Sequence, residues 1–115
     1  MARYKESGTF VVGQSQTSAI TMNERALTGL VVSGNVISGS LISFLASVDG
    51  TNFLPLLDNN STEITLAVST TPKAYSLSPE LFMAWDFIKA RLGTSASAVL
   101  QKTADEDIVF ILDSL

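Results

Sequence analysis

The chain has 115 residues, a size that suits one domain with a core of its own. It contains no Cys and no His, which excludes a disulfide framework and a thiolate metal site and removes the commonest general base and metal ligand. A net charge of -4 argues against a nucleic-acid partner, whose phosphates call for a basic surface.

Residues 1–7 are polar and predict a loose N-terminal arm, with 8–115 forming a single β-sandwich domain. Thr9–Val12 predicts a short strand closed by Gly13, and Gln14–Ser18 a polar loop. Ala19–Met22 predicts a second strand, stopped by Asn23-Glu24. Ala26–Val32 predicts a third, and Gly29 inside it predicts a bulge or the close approach of another backbone. Ser40 to Leu57 reads as strand, tight turn, strand. Leu41–Ala46 leads into Asp49-Gly50, whose Gly supplies the positive φ of a two-residue turn, and Phe53–Leu57 returns, with Pro55 marking an edge or a bulge.

Asp58–Thr62 is a turn cluster, after which Ile64, Leu66 and Val68 alternate as in a half-buried strand. Lys73–Leu77 predicts another short strand. Ser78 as N-cap, Pro79 at the first helical position and Glu80 next predict one short helix near 79–84. Trp85–Leu92 predicts a strand ended by Gly93-Thr94. Ser95–Ala104 is a small-residue loop with a brief extended piece at Val99-Leu100. Asp107–Leu112 is apolar enough to be a strand buried on both sides. About eight short strands with turn signals at roughly 8–12-residue spacing define an all-β, antiparallel sandwich, with jelly-roll and immunoglobulin-like topologies both open.

Little in the sequence points to chemistry. Asp49 with Asn52, and Asp58 with Asn59, Asn60 and Glu63, offer oxygens of the kind calcium takes, but their spacing is not that of an EF-hand loop and turn formation explains the same residues. Asp105-Glu106-Asp107 is the densest acidic run; consecutive strand residues point to opposite faces, so it reads as a solvated strand entry or a patch for a basic partner rather than a glycosidase pair. Trp85, Tyr75 and Tyr4 offer rings for a sugar platform, although Trp85 among Phe82, Phe87 and Ile88 fits a core or interface role. No motif supports a Ser–Lys nucleophile at Lys73, Lys89 or Lys102. No enzymatic activity and no cofactor are expected. No apolar stretch approaches the ~20 residues of a membrane span, and no membrane partner is expected.

Only 16% of residues are charged, against ~25% in an average soluble domain, and the mean hydropathy is +0.33. A small domain with so few charges is expected to leave surface for another protein to cover.

Residues 40–112 carry a set of segments in a recurring order: Ala46-Ser47-Val48-Asp49-Gly50-Thr51-Asn52-Phe53, the acidic turn Asp58–Thr62 with Glu63, Lys73-Ala74-Tyr75-Ser76-Leu77, and Pro79–Arg91 followed by Gly93-Thr94-Ser95-Ala96. In these the chain resembles small β-sandwich virion proteins of tailed bacteriophages, of the capsid cement or decoration type. The family's Arg-Ser-Gly-Thr segment has Leu92 in place of Ser, which implies a locally different contact surface. The resemblance implies a structural virion protein on the capsid surface, made in the host bacterial cytoplasm. It further implies binding to the major capsid protein and a homo-oligomer, taken as a homotrimer. The contact residues expected on this reading are Arg3, Tyr4 and Lys5 in the arm, Ser95, Val99 and Leu100 in the long loop, and Leu115 at the end. The alternatives are a carbohydrate-binding module of a tail or fibre using Tyr75 and Trp85, and a neck or tail structural component.

Overall fold

The computed structural model describes residues 2–34 and 36–114. Among them the strands are β1 (Arg3–Phe10), β2 (Ile20–Thr21), β3 (Arg25–Val32), β4 (Leu41–Ser47), β5 (Leu54–Pro55), β6 (Thr65–Ala67), β7 (Lys73–Ser76), β8 (Phe87–Leu92) and β9 (Glu106–Ser114). All pairings are antiparallel. Sheet A has the order β1-β9-β3-β7; sheet B has the order β2-β8-β4-β5, with β6 also on β4. Strands β5 and β6 line one edge of β4 in succession, at Leu45–Ala46 and at Leu41–Ser43. Counted as one broken strand, they complete a nested pattern: β1 with β9, β2 with β8, β3 with β7, β4 with β5 and β6. A long hairpin rolled on itself produces this pairing. It identifies the sandwich as a jelly roll.

Alternation along the strands builds the core. Ile42, Phe44 and Ala46 of β4 and Ile88, Ala90 and Leu92 of β8 face inward from sheet B, and Leu27, Leu30, Val32, Ile108, Phe110 and Leu112 face them from sheet A. Phe82, delivered by the turn after β7, is fully buried in the core. Its ring meets Phe44 edge-on at 5.2 Å and 81°, a geometry worth ~0.5–1.5 kcal/mol beyond the area buried.

Several expectations change. Residues 3–7 are not a loose arm: β1 pairs with β9 from Arg3 to Phe10, and the main chains of Ala2 and Ser114 are hydrogen-bonded at 2.9 Å. Their side chains are exposed and polar, which hid the strand from a reading based on burial alternation. The turn at Asp49-Gly50 is longer than two residues; residues 48–53 form a loop wound around the Asp49 carboxylate. The helix near 79–84 is a single 3-10 turn, Pro79–Leu81, starting at Ser78. Strand β9 is central in sheet A, and its outward residues Val109 and Ile111 are only half-buried. The bulge expected at Gly29 is present: the β3–β9 register shifts between Leu27 and Gly29. A Cβ at Gly29 would lie 3.3 Å from Ile111 Cβ and 3.4 Å from the Tyr75 carbonyl oxygen, so glycine lets Ile111 lie close over the strand.

Candidate binding surfaces

The outer face of sheet B carries Ser43, Leu45 and Ser47 of β4 and Phe87, Lys89 and Arg91 of β8. Most of it is buried, by segments of the chain itself. The 48–53 loop folds over one half. Gly50, at φ +78, sits with its Cβ position 3.2 Å from the Phe87 ring, and Lys89 Nζ lies 4.3 Å from the centroid of Phe53. The loop is held from within. Asp49 Oδ1 accepts the N–H groups of Thr51 and Asn52 at 2.8 Å, and Ser47 Oγ accepts that of Gly50 at 2.9 Å. The Asn52 N–H and then that of Thr51 hold the Asp49 carboxyl below the usual carboxylate range.

On the other half the Arg91 side chain, 7% exposed, donates to Ser43 Oγ at 3.1 Å and pairs with Glu63, itself 14% exposed. Glu63 also accepts the N–H of Ser95. An ion pair placed on a sheet face and then covered needs all these partners, because desolvated charges are costly unless hydrogen-bonded.

Among the described residues no segment covers the outer face of sheet A in this way. Its outer face presents Ser7 of β1, Val109 and Ile111 of β9, Gly29 and Val31 of β3, and Ala74 and Ser76 of β7. Val31 is 41% exposed. The face is small-residued and apolar at its centre. At one end Arg3 Nε pairs with Asp113 Oδ1 at 2.9 Å, and Thr28 Oγ1 donates to Asp113 Oδ2 at 2.7 Å. These bonds, that from Arg3 foremost, hold the Asp113 carboxyl below its ordinary range.

A third region lies where the β5 edge of sheet B meets the Pro79–Leu81 turn. Trp85 is half-buried there against the core. On one side it borders an apolar depression of about 170 Å³ with Ala46, Val48 and Leu54; on the other a wider one of about 480 Å³ with Leu57, Leu81, Asp58 and Glu80. Val48 and Leu54 are 65% and 68% exposed, the most exposed of the large apolar side chains described. Pro55 in the pairing position blunts this edge against strand addition.

The residues expected to bind a partner do not converge. Arg3, Tyr4 and Lys5 lie at one end of β1, where the Arg25 guanidinium stacks 4.2 Å from the Tyr4 ring centroid. Leu100 is exposed beside the loop that leads into the opposite end, fixed by the Gln101 N–H to the Gln14 carbonyl and by Gln101 Oε1 to the Ser38 N–H. Ser95 is engaged with Glu63, Val99 is half-buried against the core, and Leu115 lies outside the described residues. Leu92, expected to alter a contact surface, is fully buried in the core. The three aromatic residues form no common platform: Tyr4 and Tyr75 sit on opposite edge strands of sheet A, and the Tyr75 hydroxyl donates to the Ala67 carbonyl. Burial pushes the Tyr75 phenol up from its ordinary value.

The acidic runs are structural. Asp58 Oδ1 accepts the N–H groups of Asn60 and Thr62, which shapes the turn where Ser61 adopts φ 61. Asp105 accepts the Val12 N–H and Asp107 the Thr9 hydroxyl. Glu106 is no solvated entry residue; it is 3% exposed and accepts the Gly34 N–H. The bare outer face of sheet A is what a reading from sequence missed. The low charge content predicts open surface without placing it, and the unbroken apolar run of β9 is the local trace.

No family model matches the chain, and no curated protein is significantly similar to it. Among solved structures it is similar to the crystal structure of the SPBc2 prophage-derived protein YomS, with a TM-score of 0.52 at 12% identity, over 97% of this chain and 95% of that one. At that identity the likeness is one of fold, and it runs through the whole sandwich.

Proposed function

We propose that the protein is a structural component of a tailed-phage virion, and within it a capsid cement or decoration protein that binds the major capsid protein. The observation that carries this reading is the apolar surface around Trp85, open on both sides and rimmed by Asp58 and Glu80. Such a surface suits a protein segment that seats an apolar side chain beside a cation. The prophage origin of a structural neighbour supplies the phage context. So does the order of segments between residues 40 and 112. The work done is binding. Weak contacts repeated over a shell add up by multivalency, so one groove of modest size is enough per copy.

The test is the position of the protein in an electron-microscopy map of particles of the phage that encodes it. The expected result is density on the head surface. Val48→Asp and Leu54→Asp change two exposed side chains, so they should strip the protein from heads while leaving its fold intact. Absence from purified particles, or full occupancy by both variants, overturns the reading. Density at the neck or tail moves the protein within the virion, and glycan binding that Leu54→Asp abolishes would favour a carbohydrate module instead.

A further inference from the structure

We propose that the outer face of sheet A is a two-fold interface between two copies of this chain. The proposal rests on the assembly reading above, takes a two-fold pair in place of the homotrimer that the family resemblance implies, and concerns a different face from the Trp85 groove.

The argument starts from register. Ser7, Val109, Val31 and Ala74 form one row across the four strands, each directly opposite the next. Two residues to one side of that row β1 presents Lys5, opposite Ile111. Two residues to the other side β9 presents Asp107, opposite Thr9. Arg3 and Asp113 neutralise each other within the chain. Among the described residues of this face Lys5 and Asp107 therefore remain as one cation and one anion, two residues to either side of an apolar centre.

A two-fold axis along the Ser7–Ala74 row turns each copy's Lys5 row onto the other copy's Thr9–Asp107 row. Stacked sheets lie ~10 Å apart, a gap that lysine and aspartate side chains together span. The ion pair then forms twice, and Val31 and Val109 meet their own counterparts at the centre. Within one chain Lys5 and Asp107 are four residues apart along the strands, roughly 13 Å, so they do not satisfy each other. A face that complements itself under a two-fold rotation is what an isologous dimer requires.

Size sets the strength. Four strands by about six residues give roughly 400 Å² per copy, half the ~800 Å² of a standard interface. The dimer is therefore weak in free solution and strengthened wherever copies are held side by side.

Sedimentation of the full chain over a concentration series, up to the high micromolar range, tests this without any capsid. The wild type should show a monomer–dimer equilibrium that weakens with salt. Lys5→Glu and Asp107→Lys should each weaken it by about tenfold, because each sets like charges face to face twice. An equimolar mixture of the two variants should recover a heterodimer, since both of its charge pairs are again opposite, and the double variant should recover a homodimer. A monomer at every concentration overturns the proposal, as does a dimer indifferent to both substitutions or a mixture that stays monomeric. Val48→Asp and Leu54→Asp should leave the equilibrium unchanged, which separates failure of this interface from failure of the groove.

Discussion

The two sheets of this sandwich treat their outer faces in opposite ways. Sheet B covers its own: the 48–53 loop lies over Phe87, and Glu63 reaches in to meet Arg91 and Ser95. Sheet A leaves Val31 exposed and Val109 and Ile111 half-exposed, with a glycine beneath Ile111 that lets it lie close over the strand. The low charge content is therefore not spread evenly. One face is finished within the chain, and the other is left open.

The contrast can be broken by substitution. Glu63→Ala should have the largest effect, because it leaves Arg91 covered and unpaired; a loss of about 3–5 kcal/mol is expected by chemical denaturation. Gly50→Val forces a branched side chain into a positive φ and against the Phe87 ring, for about 1–3 kcal/mol. Acid should reveal a smaller contribution. Asp49 and Asp113 bind protons less readily in the folded state, so the stability they add is present above ~3.9 and is lost as the pH falls below it. Asp49→Asn should remove part of that acid-dependent loss, measured as the change in thermal midpoint between neutral and acidic buffer. Val31→Thr and Ala74→Ser on the open face should move monomer stability by no more than about 0.5 kcal/mol. If those two cost as much as Glu63→Ala, the outer face of sheet A is not the uncovered surface described.

Much of this architecture was legible from residue order. The alternation of Ile64, Leu66 and Val68, the turn residues at Asp49-Gly50 and Asp58–Thr62, and the glycine in β3 placed a run of short antiparallel strands and one bulge. The hairpin from Ser40 to Leu57 proved to be the innermost of the nested pairs. Strand β1 was recognised only at Thr9–Phe10; its first part was missed because both faces of Arg3–Ser7 are exposed, so no period of two marks it. The binding surfaces were harder still. Ser95 and Val99 read as loop residues free to bind, yet one is tied to Glu63 and the other leans on the core. Such commitments depend on residues ~30 or more positions away, beyond the reach of local pattern. The burial of Glu106 under the Gly34 amide is of the same kind.

Strand β9 is the last strand in chain order, yet it occupies the middle of its sheet, flanked by β1 and β3. During synthesis on the ribosome β1 has no partner strand, and β3 has only β7, until β9 has cleared the exit tunnel. Strand β1 must wait for β9, which couples formation of sheet A to synthesis of residues 106–114. Removal of residues 106–114 should therefore leave β1 and one edge of β3 orphaned, a substrate for chaperones or proteases rather than a smaller version of the same protein.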